Sequence, residues 1–177
     1  MATTKKNRDL VKEINGLSVE INNILNEKRS ERYFEGIAIL YSFIEDILKW
    51  LAFTQIVWNK SSEGGSTRPT EEIEQVRNYC NQQNLSSLLS LGLSIDLLSY
   101  RLYKRLDDIR IERNTMVHQY WLYIHKGRRL IFRKKLEKLA GAASALVDRF
   151  NQLVEETGMD ESYGFFEVAP SRNFVTI

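Results

Sequence analysis

The chain has 177 residues, enough for one domain with a real core, and its 43% apolar and 27% charged content is ordinary for a soluble globular protein. Two prolines and nine glycines leave room for long helices, while the single cysteine, Cys80, excludes an internal disulfide and, with only two histidines, speaks against an all-protein zinc site. The formal net charge of +2 hides twelve basic against four acidic residues between Arg101 and Lys138, a run that suits either a solvated helix face or a polyanion such as RNA.

The spacing of apolar residues predicts an all-α chain with no sheet. A first amphipathic helix spans about Lys5 to Lys28, with Leu10, Val11, Ile14, Leu17, Val19, Ile21, Ile24 and Leu25 at helical intervals. The basic N-terminus leads into Leu-Val-Lys-Glu-Ile rather than an apolar signal core, so nothing directs export and a cytoplasmic protein is expected. A second helix starts near Ser30, a suitable N-cap, and runs to about Asn59. It is apolar almost all round and should be central or covered by a partner subunit. Glu45, Asp46 and Lys49 interrupt its centre and argue against a membrane span. Glu45 has two readings, as part of a polar strip with Ser42 and Lys49 or as an acceptor orienting residues of a site elsewhere.

Lys60 to Pro69 reads as a flexible linker, and Thr70 with Glu71 and Glu72 opens a third helix that runs to about Gln82. A short helical piece, Leu85 to Leu91, is expected to stop at Gly92, with Asp96 the N-cap of a fourth long helix burying Leu97, Leu98, Leu102, Leu106, Ile109 and Val117. That helix ends in Ile-Glu-Arg-Asn-Thr-Met-Val-His-Gln-Tyr-Trp, residues 111–121, and His125 to Arg128 supplies the turn that follows. A fifth helix, about Arg133 to Thr157, stops at Gly158, and its run Ala140 to Ala145 would admit a close neighbour. Residues 1–159 are expected to form one helical bundle, and 160–177 an aromatic but aperiodic extended tail.

Residues 111–121 group an always-charged Arg113, the carboxamide of Asn114, the imidazole of His118 and the phenol of Tyr120. These groups suit phosphate chemistry. On an ideal helix Asn114, His118 and Trp121 share a face, whereas Arg113 and His118 diverge by roughly 140°. They meet at one substrate only if the arginine curls round, the helix distorts, or a second copy completes the site. Tyr120 and Trp121 fit either a core or stacking on a base.

The Arg-Asn-x-x-x-His run from Arg113 to His118, at the end of a helix late in a short helical chain, resembles the Arg-x(4 to 6)-His signature of the HEPN superfamily. Its extension to Tyr120 is similar to the HEPN toxins paired with small nucleotidyltransferase antitoxins. Leu85 to Asp96 also resembles the lead-in to that motif, and the likeness covers roughly residues 30 to 155. It implies an up-and-down bundle of four to five helices and a metal-independent ribonuclease, a toxin or defence effector without cofactor, whose homodimer presents one chain's arginine beside the other's histidine. It also implies that Tyr120 corresponds to the position where such antitoxins attach adenylate.

RNA carries its own nucleophile in the 2′-hydroxyl. An imidazole, which titrates near pH 6.5 in water, can take that proton, and a guanidinium can hold the phosphate through its planar fork. His118 and Arg113 are assigned these roles. Asn114 holds either partner or binds phosphate, and Arg110, Lys126, Arg128 and Arg129 are candidates for binding RNA. The alternatives are a non-catalytic HEPN module binding nucleotide, RNA or a partner protein through the same groups, and a helical scaffold in which the motif merely ties down a helix end.

Overall fold

Long helices need a continuous apolar stripe and few breakers, and the chain supplies both. The computed structural model describes residues 3–26, 32–62, 70–125 and 129–157, with side chains described over 15–26, 32–60, 71–118, 131–153 and 155–157. Among the described residues there are six helices and no strand: α1 (Thr3–Asn26), α2 (Arg32–Ser62), α3 (Thr70–Gln82), α4 (Leu85–Ser94), α5 (Tyr100–His125) and α6 (Arg129–Thr157). The all-α class is therefore as the apolar periodicity requires, the short piece after Asn84 being a helix in its own right. Ser30, Gly158 and the C-terminal tail lie outside the described residues. None of the described helices is long and apolar enough to cross a membrane.

The chain divides into two compact units. One holds residues up to Ser42 and from Gln119 onward, the other Phe43–His118. In the first unit Ile21, Ile24 and Leu25 of α1, Ile37 and Leu40 of α2, and Leu136, Leu139, Leu146 and Phe150 of α6 are buried. Gly36 of α2 receives the Leu136 side chain of α6, an added Cβ lying 3.0 and 3.1 Å from its two methyls. Phe34 and Phe132 meet edge to face beside this approach, centroids 6.0 Å apart. Arg32 bridges Glu20 of α1 and Glu35 of its own helix, and hydrogen bonds to the two carboxylates hold the guanidinium well above its ordinary pKa. The alanines expected to permit close packing, Ala140, Ala142 and Ala143, are fully buried.

In the second unit Ile44, Ile47, Leu48, Leu51 and Phe53 of α2 are buried together with Leu88 and Leu89 of α4 and Leu106, Ile109 and Met116 of α5. Arg77 of α3 lies over the ring of Phe53, 5.2 Å from its centroid. No large apolar side chain of α2 stands exposed among the described residues, although Ile39, Phe43, Trp50, Ile56 and Trp58 are only half-buried.

The link from α4 to α5 corrects two expectations. Asn84 caps α4, its side chain accepting from the Ser87 N–H at 3.0 Å, but Gly92 does not end the helix. Helix α4 continues to Ser94 and closes as a Schellman turn: the Asp96 N–H donates to the Leu93 carbonyl and the Leu97 N–H to that of Gly92, at 3.4 and 2.9 Å. Asp96 takes the left-handed position, φ 56°, which a short polar side chain tolerates, and is not the cap of α5. Ser99 is: its hydroxyl accepts from the Leu102 N–H at 3.3 Å. Leu97 and Leu98, apolar and in step with the helix that follows, instead fold back onto α4.

Gly92 is what lets them do so. A Cβ there would lie 2.9 Å from Leu98 Cδ1 and 3.0 Å from its Cγ, and Leu98 is itself buried. Gly92→Ala should therefore destabilise the protein by about 1 kcal/mol, overpacking outweighing the better helix propensity of alanine. Urea denaturation checks this: a lower midpoint at unchanged slope is expected, and a higher midpoint would contradict it.

Candidate active site

Helix α5 carries the candidate residues, and burial sorts its faces. Leu106, Ile109 and Met116 are buried, while Ile111, Asn114, Thr115, Val117 and His118 are exposed. The core-facing residue of the last described turn is thus Met116, not Val117 as the spacing suggested. Val117 is 47% exposed because it is displaced by roughly 100° from Met116, past the edge of the apolar stripe.

Arg113 is half-buried, on the same side as Met116 and Ile109. Its guanidinium does not stay there: Nη1 donates to Asn114 Oδ1 at 3.2 Å. Neighbouring residues on a helix point away from each other, so this bond requires the long arginine to bend round the cylinder toward the next face. Asn114 is exposed and shares that face with His118, itself exposed and without a described partner.

Glu45 belongs to the polar strip on α2. It pairs at 3.0 Å with Lys49, which also reaches Asp46 at 3.6 Å, and it has no described bond to Arg113 or His118. Partial burial works against the Lys49 charge, but the hydrogen bond and charge of Glu45, helped by Asp46, outweigh it and raise the ammonium above its ordinary 10.5. The stabilisation from this pair is therefore complete below the ordinary lysine range and is lost as pH rises through the raised folded value. Lys49→Met should cost about 0.5 kcal/mol at pH 7. The difference from wild type should shrink above pH 10.5, and a difference that grows with pH would refute the assignment.

Of the RNA-binding candidates, Arg110 is engaged with Asp107 at 2.8 Å on its own helix. Lys126 and Arg128 lie outside the described residues, and of Arg129 and Tyr120 only the helical backbone is described. Three cations that the sequence marks only as part of the basic run, Arg101, Lys104 and Arg105, are exposed on α5 and carry no described ion pair. A recess of about 520 Å³ elsewhere in the second unit is lined by Ile56, Lys60, Glu72, Gln75, Val76 and Tyr79, none of them a residue singled out from the sequence. Cys80 is buried, and burial raises its thiol pKa, which suits a core residue rather than a nucleophile.

Comparison with protein-family models, with curated proteins and with solved structures gives no match to the chain.

Proposed function

We propose that the chain is a metal-independent endoribonuclease of HEPN type, acting as a toxin or defence effector. What supports this most is the bond from Arg113 to Asn114, which turns a fixed cation toward the helix face that carries an exposed imidazole with no partner among the described residues. In the reaction, His118 takes the proton of a 2′-hydroxyl, and the freed oxygen forms a bond to the adjacent phosphorus. Arg113 donates to the non-bridging oxygens and holds charge as the pentacovalent state develops, with Asn114 steadying the guanidinium. The bond from phosphorus to the 5′ oxygen breaks, that oxygen takes up a proton, and the products are a 2′,3′-cyclic phosphate and a 5′-hydroxyl.

A two-fold homodimer through α5 belongs to this reading. Its support is that Ile111 and Val117, 50% and 47% exposed, flank Asn114 and His118, so that a second copy laid across them would cover apolar surface and wall a cleft. A nucleotidyltransferase-type antitoxin that modifies Tyr120 would be the natural partner, and the cytoplasm the natural place of action. The test is to incubate the purified chain with single-stranded RNA and with DNA of the same sequence in EDTA. RNA is expected to be cut and DNA spared. Cutting of DNA at a similar rate, or a strict requirement for Mg²⁺, would overturn the mechanism.

A further inference from the structure

The exposed side of α5 extends from His118 back toward the start of the helix, and its far end is built differently. Tyr100 is 68% exposed, and its ring lies over that of Tyr103 with centroids 6.3 Å apart and planes 27° from parallel. On the same turns Lys104, and farther round the helix Arg101 and Arg105, displaced from Tyr100 by roughly 100° and 140°, are exposed and have no ion-pair partner among the described residues. Asp108 is the exposed acid on this stretch, and Asp107 is occupied by Arg110. Tyr100 and His118 stand roughly five full turns apart, about 27 Å along the axis, so their side chains leave the helix from the same line. Lys104 lies within roughly 40° of it.

An exposed aromatic face costs apolar contact with water, and three cations on the same turns, with no partner among the described residues, repel one another. Both burdens are relieved by a ligand that brings flat rings and negative charge together. A single strand of nucleic acid does so, because its bases are free to stack and its phosphates follow the cations. A duplex hides its base faces and offers only the phosphates.

We propose that Tyr100, with Arg101, Lys104 and Arg105, forms a subsite for single-stranded RNA, in which one base stacks on Tyr100 and the backbone runs along α5 toward His118. The direction of the strand and the choice of RNA rest on the ribonuclease reading; the stacking site itself does not. A dimer crossing at residues 111–118 leaves these first turns of α5 uncovered, roughly 20 Å from the crossing.

The experiment measures binding of the full chain to a fluorescent 2′-O-methyl single strand, which lacks the attacking hydroxyl and is not consumed, while cleavage of natural RNA is followed separately. Tyr100→Ala is expected to weaken binding by about five-fold to a hundred-fold, the range for loss of one stacked base, and Tyr100→Phe to restore it. Lys104→Glu should weaken binding and flatten its salt dependence by roughly one phosphate contact. Duplex RNA should be insensitive to Tyr100→Ala. If wild type cleaves natural RNA and Tyr100→Ala binds the single strand as tightly as wild type, the subsite is wrong and the ribonuclease reading stands. If wild type cleaves nothing but Tyr100→Ala loses binding, the subsite stands without the catalysis. A change of subunit mass on Tyr100→Ala with no change in RNA binding would make the patch a protein interface and overturn the proposal.

Discussion

His118→Ala is expected to slow RNA cleavage by about 10²- to 10⁴-fold, the usual contribution of a general base, with no loss of fold. The side chain is exposed and has no described partner, so its removal takes no contact from the core and should change stability by less than about 0.5 kcal/mol. These two properties together make the variant informative. A residue that ties down a helix end would lose stability on truncation and spare catalysis, whereas a base shows the opposite pattern. Cleavage by the folded variant at the wild-type rate would remove His118 from the mechanism.

Arg113→Ala should cost about 10²- to 10³-fold, through loss of the donors that hold the phosphate as charge builds on it. Arg113 is half-buried, so some stability is lost as well, and lysine separates the two effects. Arg113→Lys keeps a cation on a stem that still packs beside Met116, but has no planar fork with which to hold Asn114 and a phosphate at once. It should restore most of the stability and little of the rate. Mixing Arg113→Ala with His118→Ala subunits discriminates further. With Arg113 bound to the Asn114 of its own chain, no mixed dimer contains an intact set, and no recovery is expected. Return of about a quarter of the wild-type rate, the share of complete sites in randomly mixed two-fold dimers, would show instead that arginine and histidine act across the subunits.

Much of the architecture was legible because it depends on local rules. The bounds of α3 follow from Thr70-Glu71-Glu72 at its start and the polar run after Gln82, and the Glu45–Lys49 pair follows from their spacing of one turn. The α4 to α5 link was not legible, because aspartate serves equally as an N-cap and as a left-handed C-terminal residue. Which role Asp96 takes is decided by Leu97 and Leu98 packing back over Gly92, a tertiary contact. Met116 and Val117 are adjacent apolar residues, and their order of burial depends on the angle at which α5 lies against its neighbours. At the site, the divergence of Arg113 and His118 holds for the bonds leaving the backbone. The bend that brings the guanidinium to Asn114 lies in the arginine side chain, whose rotamers a helical wheel does not contain.

Attack by the RNA's own 2′-hydroxyl, with His118 and Arg113 supplying base and charge as proposed, is read most directly in the chemistry of the ends. A short single-stranded RNA with one label at each terminus, cut by the purified chain in EDTA, should give upstream fragments ending in 2′,3′-cyclic phosphate and downstream fragments beginning with a 5′-hydroxyl, and both should disappear in His118→Ala. Fragments that instead begin with a 5′-phosphate and end in a free 3′-hydroxyl would mean that water, not the ribose, is the nucleophile, and would contradict the account.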